Sequence, residues 1–265
     1  MRFASIASGS SGNCIYTGSD HTHLLIDAGI SAKKIDQGLR ELGLSGSDVG
    51  GILITHEHTD HICGLGVLLR KYQIPVYATE RTIKRILATP SLGAMPRELF
   101  FPICPDEPFE IGDLSVDPIR ISHDAADPSA YRIDHNGKAA AVMTDLGEYS
   151  EYTVNRLQHL DVLLLEANHD IRMLETGPYP YYLKQRILGA RGHLSNESAG
   201  HLLCEVLHDN MRHIFLGHLS KENNYPDLAY ESVNVEISLG DCPYKGSDFP
   251  ITVASREKMS EIVYF

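Results

Sequence analysis

The chain has 265 residues, 43% of them hydrophobic, and a formal net charge of -12. Such apolar content supports a sizeable core, the acidic balance argues against broad non-specific attraction to nucleic acid, and no apolar run is long enough to cross a bilayer. The 5 cysteines are odd in number, widely spaced and form no CxxC pair, so neither a disulfide framework nor a thiolate zinc knuckle is suggested and reduced thiols are expected. The opening MRFASIASGSSGN has no basic region followed by an apolar core, so a soluble, cytoplasmic protein without membrane association is expected. Residues 2–7, 14–17 and 23–29 read as three strands of a meander, the first two joined by a Ser/Gly turn. That turn, SGSSGN, lacks the Lys of a P-loop and leads into a strand, so it is expected to be a tight turn whose exposed Ser and Asn line a cleft. Asp27 ends an apolar strand, where a carboxylate needs turn amides or a neighbouring His as partner.

Residues 31–42 have helical spacing, with Ser31 as cap and Gly43 as stop. The stretch GGILITHEHTDHICG, 51–64, follows. Its apolar run Ile52-Leu53-Ile54 reads as a short buried strand that delivers His56, His58, Asp60 and His61 into a turn closed by Gly64. Imidazole and carboxylate are ligands for zinc, manganese or iron. Positions 56, 58 and 60 would project one way from an extended segment and His61 another, so that two ligand groups could serve two ions. The alternative is a surface loop that is merely rich in His.

The string HEHTDH resembles the HxHxDH signature of the metallo-β-lactamase superfamily. That resemblance implies an α/β fold, an αββα four-layer sandwich with the metal site at one edge of two packed mixed sheets. His at position 58, where the flavodiiron branch has Glu, favours the hydrolytic branches. Beyond the signature, residues 65–72 read as a helix, 74–79 as a strand and 80–87 as a basic amphipathic helix. A Pro-rich connection spans 90–108, strands fall within 114–123, 129–134 and 138–147, and a helix covers 148–159. A strand at 162–168, helices at 183–190 and 195–209, a strand at 213–220, a helix after Pro226 and a strand at 251–256 complete a mixed α/β layout. No repeat or long linker divides the chain, so one domain over 1–265 is expected.

Three further strand ends carry metal-competent side chains. His123 follows Ile119 and Ile121, a context that alone suits a satisfied polar residue. Asp145 follows an apolar run, and its two oxygens could bridge neighbouring cations or simply serve a turn before Gly147. The tetrapeptide GHLS occurs twice. His218 closes the apolar run 213–216 and suits a metal, whereas His193 precedes a helix whose N-terminal amides attract anions and suits a phosphate; the reverse assignment stays open. With the resemblance, the set becomes His56, His58 and His123 on one ion, Asp60, His61 and His218 on the other, Asp145 between them, and Asp27 supporting a ligand His. Mostly neutral ligands leave two divalent ions charged enough to bring a water's pKa to near ~7, which implies metal-assisted hydrolysis.

Lys184, Arg186 and Arg191 gather before His193, beside Tyr179, Tyr181 and Tyr182, as a phosphodiester strand with stackable bases would require, or as a solvated loop with core tyrosines would produce. In order along the chain, SGSSGNC, LIDAG, THEHTDH, SHDA, TDLG, LEANHD, GPYP…LKQRI, GHLSN and HLSKENN resemble the YycJ/WalJ family of metallo-β-lactamase-fold nucleases. The resemblance covers nearly the whole chain and implies a 5′-3′ exonuclease linked to DNA repair, acting on DNA rather than RNA, with no β-CASP insertion. A more distant resemblance to tRNase Z implies that His193, assisted by Glu166, contacts the scissile phosphate and protonates the leaving oxygen. Asp60 would hold the attacking water, and His169, Lys184, Arg186 and Arg191 would position the strand. Two other readings remain: a hydrolase of small esters, thioesters or cyclic phosphodiesters, and a catalytically silent nucleic-acid-binding protein. The other seven histidines, His21, His23, His135, His159, His201, His208 and His213, lack this context and read as surface or structural.

Overall fold

The opening RFASIA forms strand β1 (Arg2–Ala7), antiparallel to β2 (Cys14–Gly18), which in turn pairs antiparallel with β3 (His23–Ile26). The computed structural model describes residues 1–265 and carries fourteen strands in two seven-stranded sheets. Its residues divide into two units, 1–120 with 125–138 and 255–265, and 121–124 with 139–254.

In the first unit, β4 (Val49–Leu53), β5 (Val76–Thr79) and β6 (Phe100–Ile103) continue from β3 as a parallel ladder, and β14 (Val263–Tyr264) pairs antiparallel with the other edge at β1. The order is β14-β1-β2-β3-β4-β5-β6. Helices α1 (Ala32–Glu41), α2 (Thr59–Ile62), α3 (Leu65–Tyr72) and α4 (Glu80–Leu87) belong to the same unit. Its core joins Leu25 and Ile52 of the ladder to Ile35 and Leu39 of α1 and Leu68 and Leu69 of α3, all fully buried. Ser31 caps α1 by accepting the Lys34 amide, so the polar cap and the apolar stripe agree on where the helix starts. Strands β7 (Phe109–Ile111), β8 (Leu114–Arg120) and β9 (Ser129–His135) form an antiparallel meander.

The Pro-rich connection expected over 90–108 contains a strand, β6. Its sequence FFPI breaks the alternating pattern and includes Pro102, whose missing N–H a central strand could not accept. Here β6 is the edge strand beyond β5, where that loss is tolerated.

In the second unit, β10 (Lys138–Met143), β11 (Val162–Glu166), β12 (His213–Gly217) and β13 (Ile251–Val253) are parallel. Their runs AAAVM, VLLL and IFL are almost continuously apolar and buried, as parallel strands require. Met143, Leu165, Leu216 and Val253 lie in one row across the four strands, so the residues after each strand emerge at one edge. Helices α5 (Glu151–Arg156), α6 (Ile171–Thr176), α7 (Tyr181–Leu188), α8 (Asn196–Val206) and α9 (Pro226–Leu239) complete this unit.

Gly29, just after β3, fixes the position of the α2 loop. A Cβ at this position would fall 1.7 Å from the Asp60 carbonyl oxygen and 2.2 Å from its carbon, both backbone atoms. Gly29→Ala is therefore expected to cost about 1–3 kcal/mol, as overpacking does. At 2–4 °C per kcal/mol, this lowers the melting temperature by roughly 2–12 °C in a thermal circular dichroism scan. An unchanged melting temperature would show that the loop yields freely.

Candidate metal centre

In the first unit, Ile26 of β3 lies opposite Leu53 of β4, so Asp27 and Thr55 leave the ladder side by side. Asp27 is buried and takes a φ of 63°, a left-handed conformation that costs a non-glycine residue about 1–3 kcal/mol. Its Oδ1 accepts from the Thr55 amide at 2.9 Å, and its Oδ2 lies 2.7 Å from His61 Nδ1. Burial raises the Asp27 carboxyl above its ordinary range, opposed by His61 and the Thr55 hydrogen bonds. Thr55 Oγ1 sits 3.0 Å from His56 Nδ1 and 3.2 Å from His61 Nδ1, so one hydroxyl fixes two rings. His56 Nε2 faces His58 Nδ1 at 2.9 Å, and His61 Nε2 lies 3.5 Å from Asp60 Oδ2.

Two sequence expectations change here. The chain is extended only to His58, the residue that caps α2, and the His61 amide donates to the His58 carbonyl at 2.9 Å. Asp60 and His61 therefore ride on a helical turn, and positions 56, 58 and 60 do not alternate along one strand. Asp60 in the first turn also complements the positive end of that short helix. Asn13, expected to be exposed, is 2% exposed. It caps its own loop by accepting from the Gly9 amide and reaches the α2 loop, where its Nδ2 lies 3.3 Å from the Asp60 carbonyl and 3.3 Å from His61 Nε2. The sequence patterns name neither Asn13 nor Thr55 as a site residue. For Thr55 a signal exists in its place between an apolar strand and His56.

In the second unit the row through Met143, Leu165 and Leu216 puts Asp145, Glu166 and His218 at the same strand edge. Asp145 and His218 both take left-handed φ values, 58° and 54°. Glu166 is the hub. Its Oε1 lies 2.8 Å from His193 Nδ1 and 2.8 Å from His218 Nδ1, and its Oε2 accepts from the amides of Leu146 at 2.9 Å and Leu194 at 3.3 Å. Burial pushes the Glu166 carboxyl up, but the two imidazoles override it and hold the pKa at about 2. For His193, burial works toward a lower pKa, and the Glu166 and Asp145 carboxylates reverse this to a net rise. The donor atoms of Asp145, Glu166, His193 and His218 all lie within 4.8 Å of one another. His123 Nδ1 lies 3.1 Å from the Gly192 carbonyl and its Nε2 lies 3.6 Å from Asp145 Oδ1; burial lowers its pKa and keeps the ring neutral.

The three cations noted in the sequence have internal partners. Lys184 Nζ donates to the carbonyls of Glu175 and Gly177 at 2.7 and 2.8 Å, Arg186 binds the Asp124 carboxylate, and Arg191 donates to the His123 carbonyl at 2.9 and 3.1 Å. Tyr181 and Tyr182 are 76% and 75% exposed, which removes the core-tyrosine alternative for both. His169 is buried, its pKa is lowered by desolvation to about 4, and its Nε2 has no hydrogen-bond partner.

These donors suit divalent cations. A carboxylate or carbonyl faces Nδ1 of His61, His123 and His218, an arrangement that puts the ring proton there and the lone pair on Nε2. Two ligand atoms at ~2.1 Å from one tetrahedral ion stand about 3.4 Å apart. The pairs His61 Nε2 with Asp60 Oδ2, at 3.5 Å, and His123 Nε2 with Asp145 Oδ1, at 3.6 Å, have that spacing.

Residues 22–213 match a family model described as a beta-lactamase superfamily domain. The chain is 41% identical over 234 residues to the exodeoxyribonuclease YycJ of Bacillus anthracis, covering 88% of both chains. It is 39% identical over 253 residues to the exodeoxyribonuclease WalJ of Streptococcus pneumoniae, covering 95% of this chain and 93% of that one. The chain belongs to the YycJ/WalJ family of the metallo-β-lactamase superfamily. Its fold is the metallo-β-lactamase fold: the YhfI protein of Bacillus subtilis, at 15% identity, superposes with a TM-score of 0.71 over 98% of each chain. As a YycJ/WalJ family member, the chain is a metal-dependent hydrolase.

In this YycJ/WalJ-type chain Asp27 holds His61 without itself being a proposed ligand. Asp27→Asn keeps the shape and removes the charge that fixes the His61 tautomer. Metal affinity in a chelator competition titration is expected to fall about 10–100-fold with an unchanged circular dichroism spectrum. Undiminished affinity would show that Thr55 alone orients the ring.

Proposed function

We propose that the chain is a phosphodiester hydrolase, a 5′-3′ DNA exonuclease that serves DNA repair in the cytoplasm. The observation that carries this reading is the near full-length likeness to two proteins named exodeoxyribonucleases. In this reading residues 1–265 form one metallo-β-lactamase-fold domain without a β-CASP insertion, a view supported by a fold neighbour covering 98% of both chains. No helix is long and apolar enough to cross a membrane.

The proposed ligand set is His56, His58 and His123 for one divalent ion, Asp60, His61 and His218 for a second, and Asp145 between them, the metals being zinc, manganese or iron. The tautomers and donor spacings within each unit support it. When bound, the cations would supply Lewis acidity toward phosphoryl oxygens and acidify a water. The remaining work falls to side chains. Asp60 accepts a hydrogen bond from the attacking water and orients it. Glu166 keeps its charge and fixes the rings of His193 and His218. His193 contacts the scissile phosphate and donates its Nε2 proton to the leaving oxygen. Exposure favours this assignment: the His193 side chain is 19% exposed and that of His218 is 1% exposed, though both lean on one carboxylate. His169 positions the strand, and Lys184, Arg186 and Arg191 serve it by bracing α7 and the loop around His123 and His193.

The test uses purified protein with zinc or manganese on 5′- and 3′-end-labelled single- and double-stranded DNA and RNA. Stepwise shortening of DNA from the 5′ end is expected, with kcat about 10²–10⁴-fold lower in His193→Ala. Hydrolysis of small thioesters with DNA left intact would replace the reading by a small-molecule hydrolase, and DNA binding without turnover would leave a silent binder.

The His193 role also fixes a pH profile. Its protonated form is the active one, so kcat/KM is retained below its raised pKa and lost as pH rises through it. In Glu166→Gln the larger of the two carboxylate influences that oppose burial is gone, and the basic limb is expected to move downward at matched metal content. A limb that stays in place would assign the proton to another group.

A further inference from the structure

The sequence of α4, ERTIKRIL, buries Thr82, Ile83 and Ile86 and sends Arg81, Lys84 and Arg85 to solvent. Spacing of three and four residues gathers those cations, with Ala88 beyond them, on one face. Most cations that the fold uses have a partner: Lys71 holds Asp36, Arg70 holds the carbonyls of Leu92 and Ala94, and Arg132 holds Asp134. On α4, Lys84 pairs with Glu80 at 2.8 Å, an exposed contact that contributes little to stability. The guanidiniums of Arg81 and Arg85 enter no hydrogen bond or ion pair. On a chain of net charge -12, two uncommitted arginines and a lysine on one helical face are a local reversal of sign that folding does not require.

The face opens on a groove of about 490 Å³ lined by Arg81, Lys84, Arg85, Ala88 and Ala126. Ala126 ties this groove to the donor loop. Its amide donates to Glu57 Oε1 at 2.9 Å, and Glu57 stands between His56 and His58. The next residue closes the other side, where the Asp127 carbonyl accepts from the hydroxyls of Thr79 and Thr82 at 2.8 and 3.2 Å, at the start of α4. One short segment of the first unit therefore connects the cationic face to the loop that carries His56 and His58. The groove offers no aromatic ring for base stacking and no large apolar wall for a peptide side chain, only charge and two alanine methyls.

Resting on the reading of the chain as a DNA exonuclease, we infer that the α4 face binds the sugar-phosphate backbone of the DNA substrate, away from the scissile bond. Arg81 and Arg85 neutralise phosphates, and the contact is indifferent to base sequence. It holds the DNA while successive nucleotides are removed at the metal loop.

The test compares the full-length protein with Arg81→Ala/Arg85→Ala and with Arg81→Lys/Arg85→Lys. Binding of a fluorescent 20-base-pair DNA is followed by anisotropy across a potassium chloride series, all three in an Asp145→Ala background so that the DNA survives. The alanine pair is expected to weaken Kd about tenfold and to lower the slope of log K against log salt by about 1.8, some 0.9 for each phosphate no longer neutralised. The lysine pair should recover most of both. Hydrolysis of bis(4-nitrophenyl) phosphate, measured without the Asp145 change, should stay within twofold. If the parent binds and degrades DNA but the alanine pair keeps its affinity and salt slope, the α4 face is not where the backbone sits and the nuclease reading stands. If the parent neither binds nor degrades DNA, both fall together. Preference of the parent for poly-glutamate over DNA, abolished in the alanine pair, would overturn the backbone assignment in favour of an acidic peptide.

Discussion

The second unit depends on one buried carboxylate. A charge at Glu166, with no solvent exposure, would cost several kcal/mol if left alone. It is instead met on one oxygen by the imidazoles of His193 and His218 and on the other by the amides of Leu146 and Leu194. Those four contacts reach the turn after β10, the loop before α8 and the end of β12. Because the two imidazoles hold the carboxyl below its ordinary range, it stays ionised at neutral pH. Its charge fixes the His218 tautomer, leaving the Nε2 lone pair for a ligand, and raises the pKa of His193 so that this ring holds a second proton to transfer; both effects have one electrostatic origin.

Backbone strain supports the same arrangement. Asp27, Asp145 and His218 each follow a parallel strand and each take a left-handed φ, between 54° and 63°. Three non-glycine residues in that region cost about 1–3 kcal/mol apiece. Register explains what the cost achieves. Within each unit the strands end level with one another, and a left-handed residue turns the polar side chain out of its own ladder at the strand end. Thr55 shows how such bonds are shared, since its amide and hydroxyl both serve Asp27 while the hydroxyl also orients His56 and His61.

Much of this is legible in the chain because its signals are local. Continuous apolar runs mark β10, β11 and β12, and α1 and α4 follow from caps and apolar spacing. HEHTDH announces donors by their density. What the sequence hides is long-range pairing. Asn13 meets Asp60 and His61 across 47 and 48 positions, with nothing in SGSSGN to name its partners. Lys184 and Arg191 bind main-chain carbonyls, which every residue carries, so these internal partners leave no mark in the sequence pattern. The two copies of GHLS differ in their flanks, an apolar run before His218 and a helix after His193, but nothing local shows that both histidines use the same carboxylate. Exposure, which periodicity does not report, is what separates His193 from His218. The strand β6 is masked by a proline that only its edge position makes tolerable.

An acidic chain proposed to act on a polyanion poses a problem that total charge cannot resolve. Charges more than about 8 Å apart are largely screened at physiological ionic strength, so a phosphate responds to the side chains nearest it and not to the sum of -12. Within the chain, Arg70, Arg132, Arg186, Arg191, Lys71 and Lys184 are engaged with carbonyls or carboxylates, whereas Arg81 and Arg85 are not. In the proposed reading, the acidic surface elsewhere then has a use of its own. It repels a strand from every face that lacks cations, so the substrate is oriented by exclusion as well as by attraction, and the few uncommitted cations of α4 suffice to fix its path.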